Sequence, residues 1–243
     1  MKVNSTLSLY YITTQGVDVG NYCSNLMRKF SVVLFTAILT YCCCSCKKEL
    51  SADNAIVSKE DGIVDGHGWV DLGLSVKWAT CNVGAAKPEE YGEYFAYGET
   101  VPKAYYSREN CAAWDDSSIR NIQGTELDAA TVNWGSKWRM PTKDEFQELI
   151  DNCDWSAAEL NGVVGYRFVG KNGKSLFFPA GGFYDNDVTD GVEYNGSSGY
   201  YWCGSRSWNA NAYYLNFFMS SDLFTYVSEM FCYSGCSIRA ITE

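Results

Sequence analysis

A single histidine, His67, occurs in 243 residues. A zinc centre built on imidazoles has no second His to draw on, and a catalytic triad would rest on this one residue, which lies in a glycine-rich stretch. Long apolar runs are missing too. The run at 30–41 holds about a dozen apolar residues, short of the roughly 20 that cross a bilayer. Basic charge is scarce: the formal net charge is −10, and setting aside residues 1–46 (which carry Lys2, Arg28, Lys29 and Asp18) leaves 16 basic residues against 28 acidic ones. An acidic body argues against nucleic acid and against electrostatic attachment to anionic lipid. Neutral glycans, peptides and basic partners remain as ligands.

Charge is scarcest between Gly199 and Tyr233. Twelve of those thirty-five residues are aromatic and only Arg206, Asp222 and Glu229 are charged, the remainder being mostly Ser, Asn, Ala and Gly. A core strand would be richer in Val, Ile and Leu, and a solvated loop would carry more charge. Rigid rings mixed with small amides and hydroxyls suit a recognition surface, because rings give contact area at low entropic cost and amides adapt their hydrogen bonds. This points to a binding protein rather than an enzyme, with no cofactor implied.

The amino-terminal part reads as an address. Met27-Arg28-Lys29 precedes the apolar run, as in a secretory signal, and the run ends in Cys42-Cys43-Cys44-Ser45-Cys46 followed by Lys47-Lys48-Glu49. This is similar to a bacterial lipoprotein signal spanning 27–46, with lipidation expected at Cys46, or at Cys44 as second choice. Residues 1–26 read as a start-site extension upstream of Met27, or else as part of a long n-region of the same signal. Residues 47–66 are rich in Ser, Ala, Asp, Asn, Lys, Glu and Gly, the composition of a flexible tether. One folded domain is then expected over 67–243, large enough for its own core.

Within it, 69–80 alternates as a half-buried strand or hairpin, and 101–124 shows no period and reads as a surface excursion. A short helix is expected from Thr125-Glu126-Leu127-Asp128 through Val132. Thr142-Lys143-Asp144-Glu145 is a capping box that opens a helix over about 143–152, with Phe146, Leu149 and Ile150 on one face. A β-rich half is expected to start at Asn161-Gly162, with strands at 166–169 and 176–178 around a Lys171-Asn172-Gly173-Lys174 turn. In the aromatic tract Tyr213, Leu215 and Phe217 read as the buried face and Tyr214, Asn216 and Phe218 as the exposed one. The ligand-binding candidates are Trp208, Asn209, Asn211, Tyr214, Asn216 and Phe218, followed by Tyr226, Ser228, Met230 and Tyr233. The competing reading is that these rings fill a loop-rich core.

Four blocks in order, WVDLGLSVKWATCNVG (69–84), EYGEYFAYGET (90–100), DAATVNWGSKWRMPTKDEFQE (128–148) and GYYW (199–202), resemble the Fibrobacter succinogenes major paralogous domain family, abundant in Bacteroidetes lipoproteins. The resemblance covers essentially all of 69–243. It implies an α+β fold of C-type lectin-like type, related to the formylglycine-generating enzymes and to the variable proteins of diversity-generating retroelements. It implies two short helices, a loop-rich antiparallel β half, and paired N- and C-terminal strands, here 75–80 beside 237–241. It also implies a ligand face built late in the chain, which is similar to the variable region of the retroelement-diversified proteins. A surface-exposed, outer-membrane lipoprotein that binds a glycan or a protein is the function expected. A structural or adhesive subunit of a cell-surface assembly is the alternative.

Specific chemistry finds little footing. The Glu-Pro-Asn or Gln-Pro-Asp and Trp-Asn-Asp signatures of calcium-dependent lectins are missing, and Asp185-Asn186-Asp187 with Asp190 reads as a solvated acidic turn rather than a calcium loop. Glu89/Glu90 and Asp115/Asp116 are sequence neighbours on presumed loops, not carboxylates facing each other across a pocket as glycoside hydrolysis requires. Cys232 and Cys236 invite comparison with the copper pair of formylglycine-type oxidases, but their spacing and place before the final strand differ. Cys81, Cys111, Cys153, Cys203, Cys232 and Cys236 are expected as small buried thiols or as partners in a structural disulfide. Trp134, Trp138 and Arg139 are assigned to support, with Arg139 holding loop carbonyls beneath the ligand face.

Overall fold

The computed structural model describes residues 51–52, 57–187, 191–220 and 224–243. The expected extension 1–26, signal 27–46 and lipidation site Cys46 lie outside the described residues, as does Asp190. Thirteen strands and two α-helices make an α+β fold with antiparallel sheets, except that β1 (Ser51–Ala52) pairs parallel with β5 (Cys153–Leu160).

The first sheet joins distant parts of the chain. Strands β2 (Gly62–Val64), β3 (His67–Val70) and β4 (Lys77–Ala79) run antiparallel, and β13 (Ile241–Thr242) closes the sheet against β4, with Trp78 opposite Ile241. The expected pairing of N- and C-terminal strands is therefore present. The Ala79 amide donates to Ala240 O at 2.9 Å and the Val83 amide to Ile238 O at 2.9 Å, extending it. The tether reading runs too far. Asp65-Gly66 has positive φ at both positions (47° and 87°) and turns β2 into β3 as a tight hairpin. Upstream of the hairpin, the Ser58 amide donates to Ser175 O at 3.1 Å.

Both helices are set by their caps. Helix α1 (Ala129–Trp134) starts later than its sequence suggests, because Asp128 is the cap. Its Oδ1 accepts from the Ala130 and Thr131 amides, and its Oδ2 from the Gly124 and Met140 amides at 2.9 and 2.8 Å. Helix α2 (Lys143–Asn152) forms at the expected position with both halves of the capping box made, and buries Phe146 and Leu149.

Strand β5 follows α2 directly and pairs with β6 (Val163–Gly170), which pairs with β7 (Ser175–Pro179). Asn161-Gly162 is thus the tight turn between β5 and β6, with φ of 50° and 83°, not the start of the β half. Short strands β8 (Phe183–Tyr184) and β9 (Val192–Glu193) form a hairpin. Strands β10 (Ser198–Arg206), β11 (Asn211–Phe218) and β12 (Phe224–Phe231) form a three-stranded antiparallel sheet in that order.

This last sheet lies between two cores. On one side Tyr200, Trp202, Ala212 and Tyr214 join a cluster with Phe95, Tyr97, Tyr106, Trp138 and Ile238. On the other, Tyr201, Cys203, Leu215 and Phe217 join a cluster with Trp78, Phe146, Tyr166 and Phe178. The excursion at 101–124 closes the first side: Tyr106, Cys111, Ala113 and Ile122 are buried in it, so it is core-forming rather than superficial.

Candidate ligand-binding face

The β10–β12 sheet carries all ten candidate residues except Trp208 and Asn209, in the β10–β11 turn, and Tyr233, just past β12. They do not form one surface. The turn and the far end of β11 are seven residues apart, roughly 23 Å along a strand. Three groups result.

At the turn, Trp208 is 79 % exposed and Asn209 is exposed in a left-handed conformation with φ 50°. Buried Arg206 anchors the turn from below. Its guanidinium donates to Asn209 O from Nε and Nη2, to Asp116 O and Ile119 O at 2.8 and 3.0 Å, and to Ala113 O at 2.8 Å. The planar five-donor fork of arginine is what lets one side chain collect so many carbonyls. Arg139, expected in this role, instead pairs with Glu145 at 2.6 Å and Glu243 at 2.9 Å and touches one carbonyl, Met140 O. A second carbonyl holder is Arg239, fully buried, which donates to Ala79, Thr80 and Phe177 carbonyls and to Asn82 Oδ1.

The middle of the face is core. Tyr214 is 8 % exposed and Asn216 0 %, against the expectation that both face solvent. The alternation fails because both sides of β11 are covered. Asn216 Nδ2 donates to Gly199 O at 3.0 Å, while its Oδ1 is buried with no hydrogen-bond partner. Tyr233 is likewise buried and donates to Asp185 Oδ2 at 3.3 Å. Asp185 is itself buried, and Asn186 Oδ1 accepts from the Tyr106 amide at 2.7 Å, so the segment read as a solvated acidic turn is a structural clasp on the excursion. Asn211, Ser228 and Met230 are half-buried.

The open end carries the rings. Phe218 stands opposite Phe224 in the β11–β12 register, their centroids 4.9 Å apart, and Phe224 stacks on Tyr226 at 5.7 Å. Tyr200 lies beneath these rings, 6 % exposed, with centroids 6.5 Å from Phe218, 4.5 Å from Phe183 and 6.2 Å from Tyr194. Tyr194, Phe224 and Tyr226 are 52, 42 and 38 % exposed. Phe224 escapes a sequence reading because the β11–β12 register sets it opposite Phe218, and Phe183, Tyr194 and Tyr200 because they come from separate segments of the chain. The two-residue spacing of Phe224 and Tyr226 was the one local signal.

Burial pushes Tyr200 and Tyr214 above the usual tyrosine range, so both are neutral donors at physiological pH. It also raises every thiol of the domain: Cys153 to about 11, Cys203 and Cys232 to about 12, with Cys81, Cys111 and Cys236 raised as well. All six are free, so the structural-disulfide alternative is not realised here. His67 stacks on Trp134 at 3.8 Å, and burial lowers its pKa, with Asp65 pulling the other way. It lines a cavity of about 380 Å³ with Glu60, Thr80 and Cys81. Among the described residues no group of three or more His, Cys, Asp or Glu side chains is placed to share a metal, and no helix is long and apolar enough to cross a membrane.

Compared with known proteins, the chain matches no family model, no curated protein and no solved structure.

Proposed function

We propose that residues 67–243, with the preceding hairpin, form a C-type lectin-like ligand-binding module that recognises a glycan or a protein. The module is carried at the cell surface by a lipid anchor at Cys46 and belongs with the major paralogous domain family. The observation that carries the binding reading is the open cluster of Phe218, Phe224 and Tyr226 on adjacent strands, with exposed Tyr194 beyond the buried Tyr200. Exposed contiguous rings are uncommon on a soluble surface and mark contact sites. Ring faces stack on the apolar face of a sugar or fill the pockets of a protein partner, while tyrosine hydroxyls supply directional bonds. Trp208 offers a second, separate contact at the turn.

Binding of the purified chain to a mixed glycan and host-protein array tests this, beside Tyr226→Ala, Phe224→Ala and Trp208→Ala. A signal lost in the first two variants with the fold intact supports the reading. A signal insensitive to all three places recognition elsewhere and defeats it.

A further inference from the structure

Strand β12 is an edge of the three-stranded sheet, and among the described residues no strand pairs with its outer side. The Cys232 amide donates to Ala210 O at 2.7 Å, in the same register that places Met230 opposite Ala212 and Ser228 opposite Tyr214. Antiparallel strands alternate hydrogen-bonded and non-bonded pairs. Even-numbered residues of β12 therefore bond β11, and Thr225, Val227, Glu229 and Phe231 turn their amides and carbonyls outward. Among the described residues, the one backbone bond on that side is from the Ser234 amide to Phe231 O at 3.0 Å. The opposite edge, β10, is occupied: Trp202 donates to Ser237 O and Gly204 to Pro141 O. Natural edges are guarded by charged side chains, lysine above all, by proline, bulges or very short length, or by a covering helix or loop, and the one charge on this strand is Glu229. Phe-Thr-Tyr-Val-Ser-Glu-Met-Phe has eight residues in unbroken register, no lysine and no proline.

We propose that β12 pairs antiparallel with β12 of a second copy of this chain about a two-fold axis at Ser228, fusing the two sheets into one of six strands. Three constraints select this occupant and register. A two-fold that makes edges antiparallel keeps each sheet face on its own side, so residues of equal parity must oppose one another. Centring on Ser228 pairs all four outward residues: Thr225 with Phe231 and Val227 with Glu229, each in both directions. The strand's one charge, Glu229, then faces valine. An axis at Glu229 would set two carboxylates directly opposite, which is destabilising. On the ring-bearing face Tyr226 meets Met230 of the partner subunit, a favourable sulfur–aromatic contact. The two aromatic clusters then share one continuous face, whatever ligand that face takes.

The register predicts its own cross-link. Ser228 and its symmetry mate form a non-hydrogen-bonded pair with Cα atoms about 4.5 Å apart, within disulfide reach. Position 226 lies four residues from its own mate, about 13 Å along the strand, out of reach. The full-length Ser228→Cys chain is oxidised mildly and the cross-linked peptides are located by mass spectrometry, with folding checked by circular dichroism. A 228–228 link at least about tenfold more abundant than the 226–226 link of Tyr226→Cys is expected from that geometry. The Tyr226→Cys/Met230→Cys double variant should link 226 to 230 between copies, giving an independent reading if Ser228→Cys folds poorly. No 228–228 link in a folded variant, or equal linking at 226 and 228, overturns the proposal.

Discussion

Truncating Tyr214 and Trp208 to alanine should give opposite results, although both are aromatic and lie within seven residues of one hairpin. Tyr214 is 8 % exposed, stacked on Tyr200 at 5.5 Å and edge-on to Trp202 at 6.2 Å. A buried aromatic removes about 150 Å² or more from water, and at about 25 cal/mol per Å² this is worth about 4 kcal/mol. Loss of the ring contacts adds about 1 kcal/mol, and partial collapse of the cavity returns some of it. Tyr214→Ala should therefore cost about 3–5 kcal/mol, the range of buried aromatic truncations. Trp208, at 79 % exposure, should cost within about 0.5 kcal/mol. Urea unfolding followed by far-ultraviolet circular dichroism measures both, since tryptophan fluorescence would be altered by the second substitution itself. The midpoint should fall for Tyr214→Ala with the slope unchanged. A cost below about 1 kcal/mol for Tyr214→Ala would mean that the two cores do not enclose β11, and the account of the face would fall with it. The same contrast governs binding experiments, because loss of ligand in Tyr214→Ala reports unfolding while loss in Trp208→Ala or Tyr226→Ala reports contact.

Acid should destabilise the fold through Glu145. Burial works against its carboxylate, but the Arg139 guanidinium and the Thr142 amide outweigh it and hold the pKa below the ordinary 4.5. A depressed carboxylate contributes stability that is present above the unfolded pKa and lost as pH falls through the folded one. Melting temperature measured from pH 6 down should decline below about pH 4.5, and Glu145→Gln should flatten that decline; an identical acid limb in the variant would exclude the pair as its source. Arg206→Met should free the 113–119 segment, raising its amide hydrogen exchange by at least about tenfold because buried bonds to a charged donor are each worth about 1.5–3 kcal/mol, while exchange in β5–β7 stays unchanged. Unchanged exchange at 113–119 would show that the carbonyl fork holds nothing.

What the sequence made legible was local. The capping box at Thr142 and Glu145 carries its own geometry, and α2 forms at the expected residues. Asn161-Gly162 and Asp65-Gly66 carry the positive-φ signature of tight turns, but whether such a turn opens a region or joins two strands depends on what pairs across it. The first was therefore placed one strand too late, and the second was hidden in a polar stretch. The alternation of 213–218 misled because period two reports a face only when one side of the strand is wet. The carbonyl-holding role expected of Arg139 falls to Arg206, because an arginine's partners can lie far off in sequence: those of Arg206 include carbonyls at 113–119. The aromatic composition picks out the residues of the β10–β12 sheet. It could not tell which rings close the core and which remain open.

The pairing of Trp78 with Ile241 bears on how the chain is made. Closing a loop of that length costs configurational entropy before any contact rewards it, and folds dominated by such remote pairings are slow to form. The β4–β13 pair cannot exist on a ribosome until residue 242 has been synthesised. Until then the first sheet lacks its closing strand, and Trp78 has a cross-strand partner on one side only, Val70 of β3.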